Sequence, residues 1–206
     1  MRFIEKLSIA LLILSNAAIL SSAAVLAEPG RFMVIAGGTS APLGAVQFCQ
    51  MHASDCRPQD KKALVVKLTP AIWTELNAIN DRVNKDVKPE TDMAHYGKPE
   101  FWTYPVDGKG DCEEYALEKQ KLLREAGWPS SALLITVVKD RDNEGHAVLT
   151  VRTDKGDLIL DNQLDAILPW YSTPYRFVKR QETVNPQKWA SINDDRVTTV
   201  ASIARR

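Results

Sequence analysis

Cysteine and histidine are scarce in this chain, three of each in 206 residues, and no two cysteines stand as Cys-x-x-Cys. That leaves out the usual ligand spacing of a structural zinc site, with only His52 and His95 besides His146. Net charge is missing as well. The 26 basic side chains balance 26 acidic ones, so no basic field is available to hold nucleic acid, and a protein or peptide is the expected partner. The one long apolar run, Leu7 to Leu20, falls short of the about 20 residues that a membrane span needs. Preceded by Arg2 and Lys6 and followed by small residues up to Ala27, it reads as a secretory signal peptide over residues 1–27, with no membrane insertion expected once it is removed. No Cys lies near its end, so no lipid anchor is expected. Residues 28–206 are then expected to form a single exported domain, long enough to enclose one core. No internal repeat, heptad or low-complexity tract interrupts it.

Export changes how the cysteines read, because thiols outside the cytoplasm tend to pair. Cys49 and Cys56 are close enough to close a small loop, which leaves Cys112 as the odd thiol. An odd thiol in an exported protein is either reactive or an intermolecular partner, and the surroundings of Cys112 favour the first.

Local signals outline the elements. Arg31 to Pro58 is punctuated by Gly and Pro and is expected to be an irregular strap tied by the Cys49–Cys56 bridge. Thr69 and Pro70 open a helix as cap and first residue, and Ile72, Trp73, Leu76, Ile79 and Val83 form a stripe expected to face the core. Lys85 to Lys109 reads as a long loop whose aromatics, Tyr96, Phe101, Trp102 and Tyr104, either line a substrate groove or plug the core. A second helix is expected from Asp111 to Ala126, stopped by Gly127 and Pro129. Branched apolar runs at 132–138, 147–151, 158–160 and 175–178 read as strands. The predicted class is α+β, with helices packed on an antiparallel sheet.

The chemistry concentrates in Gly110-Asp111-Cys112-Glu113-Glu114-Tyr115-Ala116. A cysteine attacks as its thiolate, and the positive end of a helix together with a nearby His lowers the thiol pKa from its free value of about 8.5. Cys112 stands at such a helix tip. His146 would take the thiol proton and return it to the leaving amine, while Asp161 would fix the imidazole tautomer. If 147–151 and 158–160 form a hairpin turning through Thr153-Asp154-Lys155-Gly156, Arg152 faces Asp157, Asp161 falls opposite Val148, and His146 lies diagonal to it on the same face. Asp111, Glu113 and Glu114 create an electrostatic difficulty, since their charge raises the thiol pKa. Either a divalent cation answers it, calcium on Asp111 and Glu113 by the chemistry of the oxygens, or these acids simply suit a helix N-terminus. The Cys112 backbone N–H is the first expected oxyanion donor, and the Trp102 indole is a candidate second.

These motifs, with Phe101-Trp102-Thr103-Tyr104-Pro105, Gly145-His146-Ala147-Val148-Leu149 and Leu158-Ile159-Leu160-Asp161-Asn162, resemble the bacterial transglutaminase-like cysteine peptidases, including the LapG-type periplasmic proteases. The resemblance implies a papain-like, transglutaminase-like core, a Cys112-His146-Asp161 triad, calcium held by Asp111 and Glu113, and a periplasmic location. It further implies a large surface adhesin as substrate and control by an inner-membrane receptor that senses cyclic di-GMP. Glu114 departs from the pattern, standing where the family commonly has Asp. Two other functions suit the same residues: transfer to an amine in place of water, as in a transglutaminase or amidase, and a non-catalytic binding module with an inert Cys112.

Overall fold

Strand β1 (Val34–Thr39) opens the part of the chain that the computed structural model describes, residues 30–196; the expected signal peptide over 1–27 lies outside the described residues. Helices α1 (Leu43–Met51) and α2 (Pro70–Asp86) follow, then β2 (Lys88–Pro89), α3 (Asp92–Tyr96), β3 (Lys109–Gly110) and α4 (Cys112–Glu125). Six strands follow, β4 (Leu133–Lys139), β5 (Gly145–Thr153), β6 (Gly156–Leu160), β7 (Leu168–Pro169), β8 (Arg176–Gln181) and β9 (Trp189–Asn193), with single 3-10 turns at Ser130–Ala132 and Trp170–Ser172.

Seven strands form one antiparallel sheet in the order β1-β9-β8-β4-β5-β6-β7, and β2 and β3 make a small parallel pair. The period of two in β5 divides its side chains. Leu149 and Val151 pack with Leu76, Ala116 and Leu123 under the helices, while Val148 joins Val138, Ile159, Tyr175 and Phe177 on the other face. Helix α4 lies on β4 and β5 and is backed by α2, which gives the α+β arrangement that the pattern predicts.

The helix signals operate as read. The Thr69 hydroxyl accepts the Ile72 N–H at 3.3 Å with Pro70 in the first turn, and α4 ends at Gly127, whose φ of 89° suits a residue without Cβ. Three expectations are corrected. Arg31 to Pro58 is not an irregular strap: it contains β1 and α1, because Val34-Ile35-Ala36-Gly37-Gly38-Thr39 gains a partner in distant β9 that overrides its turn-like glycines. The stripe on α2 faces the core through Ile72, Leu76, Ile79 and Val83, but Trp73 departs from it and is 39% exposed. The loop from Lys85 to Lys109 carries β2, α3 and β3, and of its aromatics Trp102 and Tyr104 plug the core. Trp102 lies so close to Gly44 that a Cβ there would come within 2.3 Å of its ring. The expected bridge is present, Cys49 on α1 to Cys56 with Cα atoms 5.5 Å apart, and Cys112 is free.

Candidate functional site

Cys112 is the first residue of α4, and the residues around it explain why the helix starts there. Glu114 is fully buried and spends both carboxylate oxygens on backbone donors, Oε2 on the Asp111 N–H at 2.9 Å and Oε1 on the Thr103 N–H at 3.1 Å. The first bond is the returning arm of a capping box. Gly110 leaves room for it, since a Cβ there would stand 2.5 Å from the Glu114 Cβ. The turn preceding the thiol is thus fixed from both sides, and the Cys112 N–H is one of the amides a helix start leaves without an intrahelical acceptor.

His146 and Asp161 come together through the hairpin register. Strands β5 and β6 pair from Thr153↔Gly156 through Arg152↔Asp157 to Leu149↔Leu160, as expected. Just beyond that ladder His146 Nε2 meets Asp161 Oδ1 at 2.8 Å, with both side chains buried. The carboxylate can only accept, so Nε2 carries the proton and Nδ1 is left as an acceptor, 3.4 Å from the Gln163 amide. The Tyr175 hydroxyl donates to Asp161 Oδ2 and the Gln163 N–H to Oδ1 at 3.1 Å. Burial pushes the Asp161 pKa up, but the bond and charge of His146 and the bond from Tyr175 outweigh it, and the carboxyl stays below its usual range. The main-chain carbonyl of Asp161 is also held, by Asn84 Nδ2 from α2 and Lys119 Nζ from α4, each at 2.9 Å.

The thiol reaches this group through the backbone next to the histidine: Ala147 N–H donates to Cys112 Sγ at 3.3 Å. On its other side Sγ donates to Glu113 Oε2 at 2.9 Å. Burial, then the charge and hydrogen bond of Glu113, push the thiol well above its ordinary pKa, with the Ala147 amide opposing them. The acids raise one another too. Burial, then interaction with Asp111, pushes Glu113 up to about 9, and burial with the charges of Asp111 and Asp92 pushes Glu114 up to about 8.

Two overlapping groups could hold a cation. Ligand atoms of Asp111, Cys112 and Glu113 lie within 4.8 Å of one another, and so do those of Asp92, Asp111 and Glu114. Asp111 belongs to both. The Oδ1 atoms of Asp92 and Asp111 are buried without a partner, and hard carboxylate oxygens of this kind suit calcium. The residues present therefore fit the cation the sequence suggests, with Asp111 shared between Glu113 and Cys112 on one side and Asp92 and Glu114 on the other.

Sequence reasoning missed Asp92, Asn84, Lys119, Gln163 and Tyr175, none of which stands in a motif that carries chemistry. The only usable signal was Lys119, a charge seven residues after Cys112 on the same face of α4. Trp102 does not serve as the second oxyanion donor: its indole N–H is given to Glu100 at 3.0 Å and its ring is buried.

A family model described as bacterial transglutaminase-like cysteine proteinase, BTLCP, matches residues 35–197. The chain belongs to that family, whose class is the transglutaminase-like cysteine peptidase. Among solved structures it is similar to LapG of Legionella pneumophila. The calcium-bound form is 31% identical with a TM-score of 0.48, over 55% of this chain and 66% of that one. The EGTA-treated form is 32% identical with a TM-score of 0.47, over 55% and 64%. A third LapG structure gives 32% and 0.47, over 55% and 65%. This chain thus spans just under two thirds of the LapG chains it matches. No curated protein sequence matches it.

Proposed function

We propose that the protein is an exported cysteine endopeptidase in which Cys112, His146 and Asp161 act as nucleophile, general base and acid, and orienting carboxylate. One observation carries the reading: the free thiol at the tip of α4 bonds the amide next to His146, whose Nε2 is locked to Asp161. The Nδ1 of His146, left as the acceptor, takes the thiol proton, and Sγ attacks the peptide carbonyl carbon. The Cys112 N–H at the helix start faces the charge that develops on the carbonyl oxygen. The intermediate collapses as the imidazolium gives its proton to the leaving amine, and water, deprotonated by the same imidazole, releases the acyl group from sulfur.

Calcium on Asp111 and Glu113, with Asp92 next to Asp111, is part of the proposal; when bound, its charge would offset the carboxylates that hold the thiol protonated. The two orphaned aspartate oxygens support it. The substrate we propose is an exported protein of the surface-adhesin class, with an inner-membrane receptor as regulator; the Cys49–Cys56 bridge supports an oxidising compartment. No helix among the described residues is long and apolar enough to cross a membrane.

The test uses the full chain with calcium and a denatured exported protein as substrate. New peptide termini should form with the wild type and vanish with Cys112→Ala and His146→Ala. A labelled amine incorporated without new termini would replace hydrolysis with amine transfer, and full cleavage by Cys112→Ala would end the reading.

A further inference from the structure

Lys119 is among the largest fully buried side chains of the described residues, with none of its surface exposed. Its ammonium gives one hydrogen bond, to the main-chain carbonyl of Asp161 at 2.9 Å. Burying an ammonium is unfavourable, and an apolar residue of similar volume would be expected to stabilise such a position. Burial lowers the Lys119 pKa to about 7 in spite of the opposing charges of Asp161, Asp165 and Asp81. A group kept in so unfavourable a place and aimed at one acceptor needs a reason beyond packing.

The acceptor supplies it. Asp161 stands just past the end of β6, where its carbonyl has no ladder partner, and Asn84 on α2 gives that oxygen a second donor at 2.9 Å. Lys119 lies two turns along α4 from Cys112 and on the same face. One rigid helix therefore carries the thiol at its tip and, further along, a donor that grips the residue whose carboxylate holds the imidazole. We propose that Lys119, with Asn84, is a positioning residue that fixes Asp161, and through it His146, relative to the helix bearing Cys112. The proposal rests on the triad reading above.

Two readouts on the full chain with calcium test it: the imidazole nitrogen shifts of His146, assigned against His146→Ala, and the rate of Cys112 alkylation by iodoacetamide at neutral pH. Lys119→Met keeps the volume and removes the donor. It should retain or raise Tm, lose the single Nε2–H tautomer signature, and slow alkylation about tenfold. Lys119→Arg, which restores a donor, should recover part of the rate. Should Lys119→Met fail to fold, Asn84→Leu takes its place, with a smaller loss in the same two readouts. An unchanged tautomer signature and rate in a folded variant would overturn the role of Lys119 and leave the triad intact. If His146→Ala also alkylates at the wild-type rate, the triad itself has failed.

Discussion

Without calcium, the protein should lose stability as pH rises from about 5.5 to about 7. Burial and neighbouring charge push Glu113 up to about 9 and Glu114 up to about 8 from an ordinary 4.5. A carboxyl raised on folding holds a proton that the unfolded chain has released. Its stabilisation is complete below pH 4.5 and is lost as pH climbs through the folded value. Over one and a half pH units one such proton corresponds to about 2 kcal/mol, and two to about 4 kcal/mol. Lys119 has the opposite sign: its pKa is lowered to about 7, so its unfavourable charge is relieved only as pH rises above that value, outside this window. For a domain of this size one proton corresponds to a fall of about 4–8 °C in Tm. Calorimetry in EDTA across the window measures it. Excess calcium should flatten the slope, because cation binding requires ionised carboxylates. A metal-free Tm that is flat or rising over the window would refute the claim that these acids carry protons in the fold.

Asp161→Asn should leave the fold intact and lower kcat by about three orders of magnitude, because an amide in that place can hold the wrong imidazole tautomer; steady-state cleavage of a protein substrate checks it. Gly110→Ala should fail at the turn, since its Cβ would meet that of Glu114 at 2.5 Å; a loss of about 2 kcal/mol or more in urea unfolding is expected. Reducing the Cys49–Cys56 bridge, seven residues apart, should lower stability by about 2 kcal/mol, with Cys49→Ser as the check under non-reducing conditions.

The free Cys112, its helix and the hairpin were legible in the sequence because each rests on short-range rules. Thr69, Pro70 and Gly127 mark helix ends through local hydrogen bonding and backbone freedom, and the period of two with a tight turn sets the β5–β6 register. What stayed hidden depends on partners far along the chain. Strand β1 is a strand because β9 lies beside it, more than 150 residues later. Trp73 carries the helical spacing of a core residue yet is 39% exposed, because periodicity gives a face without saying how far the opposing element extends. Asp92 reaches the acidic group only through the folding of the α3 segment against Asp111, whose Oδ2 accepts its N–H at 3.1 Å.

Several contacts around the site run through backbone groups, a feature that follows from its chemistry. Asn84 and Lys119 address a main-chain carbonyl, Gln163 gives its N–H to Asp161, and Glu114 takes the N–H groups of Asp111 and Thr103. Backbone groups are the same at every position, so no residue type at the receiving end betrays the contact in a sequence. A site that brings a thiol, an imidazole and a carboxylate together from three elements must break regular backbone pairing at each of their ends, and every amide or carbonyl so freed in the interior needs a partner. The buried polar side chains around Cys112, His146 and Asp161 are therefore a structural consequence of bringing reactive groups to element ends.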